Sequence, residues 1–374
     1  MVFIVFQVVL VGFLALVLTT RGHQFRKDRE NRHNRTSDSL LLSCLYETNL
    51  ADTVWGSERL SLVTTRTTHP FVMAILHSSK DKAVSEKIKN EGLWDPQILG
   101  PMQFILEKSP CDGSSMVLDV GANIGFFGLF ALSMSCDTIM FEPQKQTAAA
   151  IRASLCINEH VFRRKGLRAA LIPKPVAMSS TVMFPTDYTL HGQNTGGVSR
   201  IDCSSKEAKC EEFAAVSLDD FVMGPMGKQM TQGKQRIRVM KVDVEGFEGD
   251  AFASMKGLLE KHLVDNILFE LIPYIRGADE AKGIVRTLHE YGYSLAESPF
   301  AFLEGVRDVD RPYIKKVAPL KIDQACALID DMTKTGNDPK ARNNWRGPKH
   351  YTDMWATLTP TLFDDYNKAV IPGA

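Results

Sequence analysis

Val117-Leu118-Asp119-Val120-Gly121-Ala122-Asn123-Ile124-Gly125, followed by Phe141-Glu142-Pro143, is the stretch that decides the architecture. Met116-Val117-Leu118 is an apolar run suited to a buried strand, and it ends in Asp119 and a glycine-bearing turn. Phe126, Phe127, Leu129, Phe130 and Leu132 then predict a helix, and Thr138-Ile139-Met140-Phe141 a second strand that ends in Glu142. This is a β-α-β unit with glycines at its first strand-to-helix turn. The motif also separates cofactor classes. In G-x-G-x-x-G the glycines let backbone approach a pyrophosphate at a helix N-terminus. Here the order is D-x-G-x-x-x-G. A carboxylate facing the turn repels a pyrophosphate and suits a ligand with a cationic amine or sulfonium. Glu142 ends the second strand, where an acid accepts the two ribose hydroxyls of an adenosine. The combination favours S-adenosylmethionine over NAD; the competing reading is an ordinary turn with Asp119 as a helix cap.

A second segment repeats the pattern. Arg236 to Val244 reads as a strand, ended by Glu245-Gly246, and Phe247 to His262 has helical spacing. Period two puts Lys241, Asp243 and Glu245 on one face and Met240, Val242 and Val244 on the other. Strands of a parallel sheet are buried on both faces and should be apolar throughout. Charges at the carboxyl end are costly unless they serve a ligand or each other, and that end is where open α/β sheets bind ligands. Asn266 to Phe269 predicts a further strand, ending in Glu270. Four strands thus each deliver a carboxylate to one edge: Asp119, Glu142, Asp243 with Glu245, and Glu270. The bland alternative for Asp243 and Glu245 is a Lys241 salt bridge plus helix capping.

Together these motifs resemble the FkbM family of S-adenosylmethionine-dependent methyltransferases. The most family-specific block is Met240-Lys241-Val242-Asp243-Val244-Glu245-Gly246-Phe247-Glu248; Asn158, Val176-Ala177-Met178-Ser179 and Val216-Ser217-Leu218-Asp219-Asp220 are weaker supports. The resemblance implies an α/β fold, a class I methyltransferase Rossmann-like sheet, mostly parallel and seven-stranded, with helices on both faces. It also implies O-methylation of a hydroxyl, often on sugars or polyketides. Carried over by position, Asp119, Gly121 and Asn123 line the methionine end of the cofactor and Glu142 its ribose. Gly125, Pro143 and Ala177 complete the expected cofactor-binding residues, and Asp243 and Glu245 stand beside the transferred methyl. A sugar hydroxyl needs a base during attack. Asp243 is the first candidate, Glu245 the second and His191 the third, with Lys241 moderating the charge. No metal is expected. The stretch 185–212, with Asp187, His191, Cys203 and Cys210, looks like an insertion near the substrate side.

Composition sets the outer bounds. The 374 residues carry 44 Lys+Arg and 44 Asp+Glu, a formal net charge of zero, with 44% hydrophobic and 24% charged residues. That is globular composition and excludes wholesale disorder, a collagen-like chain and a polytopic membrane protein. A neutral balance argues against nucleic acid as a partner. The seven cysteines are too few for a disulfide scaffold. Cys203 and Cys210, seven apart in a polar loop, read either as a local disulfide in an oxidising compartment or as two free surface thiols, and Cys136 and Cys156 as inert core thiols.

The average hides one segment. Val2 to Leu18 carries no charge and only Gln7 as a strongly polar residue, and Arg21, Arg26, Lys27, Arg29, Arg32 and Arg35 follow it. The expected organisation is a transmembrane signal anchor or signal peptide over 1–20 and a basic juxtamembrane linker over 21–39. An accessory segment then covers 40–114, a methyltransferase domain 115–304 and a C-terminal extension 305–374. This predicts a single-pass membrane protein of the secretory pathway (ER/Golgi), anchored through residues 2–20. The side of the membrane stays open. The basic flank favours the cytosol, whereas Asn34-Arg35-Thr36 is a glycosylation sequon that matters only in the lumen. Trp345, His350 and Trp355 are read as tail packing, with sugar stacking as the alternative. The expected activity is transfer of a methyl group from S-adenosylmethionine to a small-molecule or glycan hydroxyl. The alternatives are a nucleotide-dependent oxidoreductase on the same sheet type and a non-catalytic cofactor-binding module.

Overall fold

Short apolar strands alternate with helices along the chain, and in the computed structural model they assemble around one sheet. The structure describes residues 60–77, 81–185, 210–299, 316–342, 349 and 351–370. They belong to one compact unit that runs from Val54 to Ala374. The segments 1–20 and 21–39 lie outside the described residues. Among the described residues no helix is long and apolar enough to cross a membrane.

The chain enters through an antiparallel hairpin, β1 (Ser61–Thr64) and β2 (Val72–Ile75). Two helices follow, α1 (Ser85–Glu91) and α2 (Pro96–Lys108). The expected β-α-β unit comes next as β3 (Ser115–Val120), α3 (Phe126–Ser133) and β4 (Thr138–Phe141). Then come α4 (Lys145–Arg164), β5 (Ala169–Ile172) and a second hairpin of β6 (Thr181–Pro185) and β7 (Cys210–Ala214). Helices α5 (Leu218–Met223) and α6 (Pro225–Thr231) precede β8 (Arg236–Val242). The single helix expected over 247–262 is two, α7 (Glu248–Ala253) and α8 (Lys256–Glu260). The break has a cause: the Asp219 carboxylate accepts hydrogen bonds from the backbone N–H of Gly257 at 2.7 Å and Leu258 at 2.8 Å, which starts a new helix there.

The chain continues through β9 (Asn266–Leu271), α9 (Pro273–Arg276), α10 (Ala278–Glu290) and β10 (Ser294–Glu297). It ends with α11 (Ile322–Asn337), α12 (Pro339–Arg342), β11 (Thr352–Thr357) and α13 (Thr361–Val370). By composition Thr333 to Lys349, rich in Asn, Lys, Gly and Pro, reads as a long loop; in the structure it is helical through Asn337, and again over α12.

The seven-stranded sheet has the order β10-β11-β9-β8-β3-β4-β5. Neighbours pair in parallel from β9 to β5, whereas β11 lies antiparallel to both β9 and β10. This corrects the expected boundary at 304. The stretch 305–374 is not an appendage to a finished domain, because it contributes the fully buried strand β11 inside the sheet. Four of the six β11 residues are Thr, Asp or Ala, so its own sequence carries little strand signal.

Alternation along the strands sorts their residues onto two faces. Leu118, Val120, Met240, Val242, Phe269 and Met354 join the core formed with helices α5, α7, α8, α10 and α11. On the other face Trp355 is fully buried against Phe104 of α2 and Phe363 and Tyr366 of α13, and its indole N–H donates to the Asn266 side chain at 3.2 Å. Trp355 thus packs rather than meeting a sugar; Trp345 and His350 lie outside the described residues. The first hairpin is tied to α4: Ser154 Oγ accepts from the Ala74 N–H at 2.9 Å, and Asn158 bonds the backbone of Val72. Asn158 is therefore structural.

The cysteines depart from expectation. Cys136 is disulfide-bonded to Cys111, 25 residues away, and Cys156 and Cys210 are also disulfide-bonded. Cys203 lies outside the described residues. Cys136 and Cys156 read as core thiols because they fall among apolar residues of expected core elements, and such a neighbourhood hides a covalent partner distant in sequence; Cys136 is buried and Cys156 only partly so. Closing a loop of this length restricts the unfolded chain by about 3 kcal/mol. Replacing Cys111 and Cys136 together by Ala is expected to lower the urea unfolding free energy by that order; an unchanged value would show that the bond does not form in solution.

Candidate active site

The strand order reverses between β3 and β8: from β3 the chain builds outward through β4 and β5, and from β8 the other way. A crevice at the carboxyl edge of such a reversal is the usual ligand site of an open α/β sheet. Gly121 and Asp243 meet there. Gly121 has a positive φ of 77°, and a Cβ on it would run into the Asp243 backbone carbonyl, so both conformation and contact require glycine. A cavity opens at this point. Gly121, Asn123, Glu142 and Pro143 line it from the β3–β4 side, Asp243 and Glu245 from the β8 side. Val176, Val182 and Phe247 add apolar wall.

Glu142 is almost fully buried. Its carboxylate accepts from the backbone N–H of Asn123 at 2.7 Å and of Gln144 at 2.9 Å. Burial pushes its carboxyl up to about 7, with the two amides pulling the other way. The Asn123 side-chain oxygen is buried with no hydrogen-bond partner among the described residues.

Asp119 sits one layer below. It is fully buried and does not line the cavity; one carboxylate oxygen accepts the Gly128 N–H of α3 at 2.8 Å, and the other lies 3.8 Å from the Lys241 ammonium. Burial raises its carboxyl above the usual range, against the pull of Lys241 and Gly128. Gly125 and Ala177 are likewise outside the lining. The Gly125 N–H donates to the Ala122 carbonyl, and the Ala177 N–H to the Val216 carbonyl.

Lys241 is buried and joins the two halves of the site. Its ammonium lies 3.1 Å from the Asp243 carboxylate, donates to the Gly121 carbonyl at 2.7 Å, and stands 5.6 Å from the Phe127 ring centre. Burial works against its charge, but Asp243 and Asp119 outweigh that and hold it above the ordinary lysine range. Lys241 is therefore the electrostatic pin of the crevice rather than a cavity-lining group.

The turn after β8 is built by its last acid. Glu245 and Gly246 take φ values of 55° and 99°. The Glu248 carboxylate accepts from the N–H of Val244 at 3.2 Å and of Gly246 at 3.0 Å. Arg276 donates to the Gly246 carbonyl at 2.9 Å and covers the Phe247 ring at 4.6 Å. Glu248 thus shapes the loop that presents Asp243 and Glu245. His191 lies outside the described residues.

Residues 119–295 match the family model described as the methyltransferase FkbM domain. This protein is a methyltransferase with an FkbM domain. Methyltransferase 1 of Beauveria bassiana (strain ARSEF 2860) is 26% identical over 171 residues, covering 44% of this chain and 67% of that protein. Methyltransferase sdnD of Sordaria araneosa is 29% identical over 191 residues, covering 45% of this chain and 72% of that protein. Among solved structures, the FkbM methyltransferase of Methylobacillus flagellatus KT is 15% identical with a TM-score of 0.33; the match covers 51% of this chain and 43% of that one. The oxidoreductase and the non-catalytic module are thereby set aside.

The FkbM domain ends short of the whole site. Asp95, at the start of α2, and Asp353, on β11, lie outside 119–295 yet belong to the same set of charges: Asp243 and Lys241 act on both. Neither was anticipated. Trp94-Asp95-Pro96 reads as a turn or a helix start, which places Asp95 correctly before α2 but gives it no role, and Asp353 sits in a segment with weak strand character.

Glu142 gives a pH prediction. A carboxyl raised in the folded state favours folding most when protonated. Its contribution is complete below the unfolded value near 4.5 and is lost as pH rises through about 7. Without cofactor, the stability of the unaltered protein relative to Glu142→Gln is expected to fall by about 3 kcal/mol between pH 4 and pH 8. Chemical denaturation at several pH values measures it, and a pH-independent difference would contradict the buried setting of Glu142.

Proposed function

We propose that this protein transfers the methyl group of S-adenosylmethionine to a hydroxyl of a saccharide or similar small polar acceptor. The observation that carries the reading is the convergence of Glu142, Asn123, Asp243 and Glu245 on one cavity at the strand-order reversal. Three acids in that wall disfavour a pyrophosphate and suit a cofactor with an ammonium and a sulfonium. Glu142 retains acceptor lone pairs for ribose hydroxyls. The orphaned Asn123 oxygen calls for a donor from a ligand, and the Val176, Val182 and Phe247 surfaces suit an adenine.

S-Adenosylmethionine supplies an electrophilic methyl group on a sulfonium. The protein must align the acceptor oxygen and remove its proton. Asp243 is the base: it faces the cavity, and its side chain is 29% exposed and so reachable by an acceptor. Lys241 fixes its orientation through the 3.1 Å contact. Glu245, on the same wall, is placed to hold a neighbouring hydroxyl.

We further place the protein in the secretory pathway, with residues 2–20 as its membrane or signal segment. Disulfides persist in oxidising compartments, and bonded Cys111, Cys136, Cys156 and Cys210 support a lumenal catalytic domain. That agrees with the Asn34-Arg35-Thr36 sequon rather than with the basic flank.

Incubation of the full-length protein with S-adenosyl[methyl-3H]methionine and a saccharide panel tests the activity. The expected product carries label that resists mild alkali, as a methyl ether does. Label released by alkali as methanol, or held on nitrogen, would overturn the hydroxyl reading.

A further inference from the structure

The β-sheet register places three carboxylates side by side. Lys241 pairs with Leu268 and Val242 with Phe269, while Phe269 pairs with Met354 and Glu270 with Asp353. Continuing the β8–β9 register by one residue sets Asp243 beside Glu270, which is beside Asp353. Neighbouring strands are about 4.8 Å apart, and a row of like charges across them is destabilising. All three lie on the face that carries Lys241 and Trp355, opposite the Val242, Phe269 and Met354 face.

Asp353 is only 7% exposed, and its carboxylate makes no hydrogen bond or ion pair among the described residues. Register puts it on the sheet face of Glu270 and Asp243, and the charges that act on it are Asp95, Asp243, Lys241 and Lys349. The Glu270 carboxylate also lacks such a partner among the described residues; Asp243, Glu245, Asp353 and Glu248 repel it. Burial first, and this repulsion second, hold both carboxyls well above their usual range, and burial with Asp243 brings Asp95 up to about 6. Three cations act on the cluster: Lys241, Lys349 and, on Asp95, Lys87, which is paired with Glu91 at 4.0 Å. Lys241 is committed to Asp119 and Asp243, and Lys349 is half exposed and bound to Glu297 at 2.8 Å. A structural row would carry its own counter-charge; this one leaves Asp353, Glu270 and Asp95 in excess.

We propose that Asp353, Glu270 and Asp95 form a subsite on the acceptor side of Asp243 that binds an ammonium group, so that the substrate is an amino-bearing polyol. The inference rests on the methyl-transfer reading and deepens it. Among the described residues no group of three His, Cys, Asp or Glu is placed to hold one metal ion, whereas an ammonium needs only one or two of these acids within hydrogen-bond reach and can turn its remaining N–H to solvent or to the acceptor's own hydroxyls. Asp95 and Asp353 come from outside the FkbM domain, so acceptor choice is set by the flanks and the shared domain handles the cofactor.

The test uses the full-length protein loaded with S-adenosylhomocysteine at pH 7.5. It is titrated with N-methylglucamine, a cationic polyol, and with sorbitol, its neutral counterpart. N-Methylglucamine is expected to bind at least about tenfold more tightly, and Asp353→Asn or Glu270→Gln to remove that advantage, as loss of a charged hydrogen bond implies. Both variants should bind S-adenosylhomocysteine unchanged and melt no lower than the parent, because they relieve repulsion. Asp95→Asn, outside the sheet, repeats the test without touching a strand. Equal binding of the two polyols, or an advantage that survives the substitutions, would overturn the subsite. So would a lowered melting midpoint in both strand variants. Manganese chloride binding that the variants abolish, with no response to N-methylglucamine, would reassign the acids to a metal. Failure of the unaltered protein to bind S-adenosylhomocysteine would instead contradict the cofactor reading beneath the proposal.

Discussion

Asp243→Asn is expected to lower the turnover number by about 100- to 10,000-fold, the range for loss of a general base, while S-adenosylhomocysteine binding persists. Asparagine keeps the shape of the side chain and one oxygen facing Lys241, which lies 3.1 Å from the present carboxylate. The partly exposed side chain can lose its charge without unfolding the site. What disappears is the acceptor for the hydroxyl proton. Single-turnover transfer of labelled methyl, measured beside cofactor affinity, separates the two. An equal loss in both would make Asp243 a binding group, and unchanged turnover would move the base to Glu245.

The second large effect is on stability. Lys241→Met is expected to cost about 3–5 kcal/mol, as removal of one member of a buried charge pair does. Lys241 is 2% exposed, and its ammonium serves Asp119, Asp243 and the Gly121 carbonyl together. Asp119 has no exposed surface, so it would be left ionised with only the Gly128 amide, or forced to take up a proton. Adding Asp119→Asn should restore a large part of the loss. Urea denaturation of the parent, both single variants and the pair gives the coupling directly. Purely additive effects would mean that Lys241 is held by packing against Phe127 rather than by charge.

Much of the sheet's centre was legible because its signals are local. Met116 to Phe141 carries strand, turn, helix and strand in one continuous run, and the structure follows it closely. The same holds for β8, where alternation alone separates Lys241 and Asp243 from Met240 and Val242. Local reading was weaker on roles. Asp119, Gly125 and Ala177 share motifs with cavity residues but support the turn and its neighbours from behind the wall. Glu248 sits in the most family-specific block, yet it holds the loop.

The rest was hidden because it depends on pairing across long separations. Nothing in Thr352-Asp353-Met354-Trp355-Ala356-Thr357 reveals that it slots between β9 and β10, and only that insertion brings Asp353 beside Glu270. Asp95 likewise matters only once α2 is laid against the sheet. The Cys111–Cys136 bond joins a loop before β3 to the turn between α3 and β4, and neither spacing nor burial announces it.

The central claim is that the crevice between β3 and β8 holds S-adenosylmethionine. The most direct measurement is a calorimetric titration of the full-length protein with that cofactor, repeated on Glu142→Ala. The expected result is one site in the micromolar range, weakened at least about tenfold by the substitution, since a buried carboxylate would no longer accept the ribose hydroxyls. A folded protein that shows no heat at millimolar cofactor, or a Glu142→Ala variant that binds as well as the parent, would contradict it.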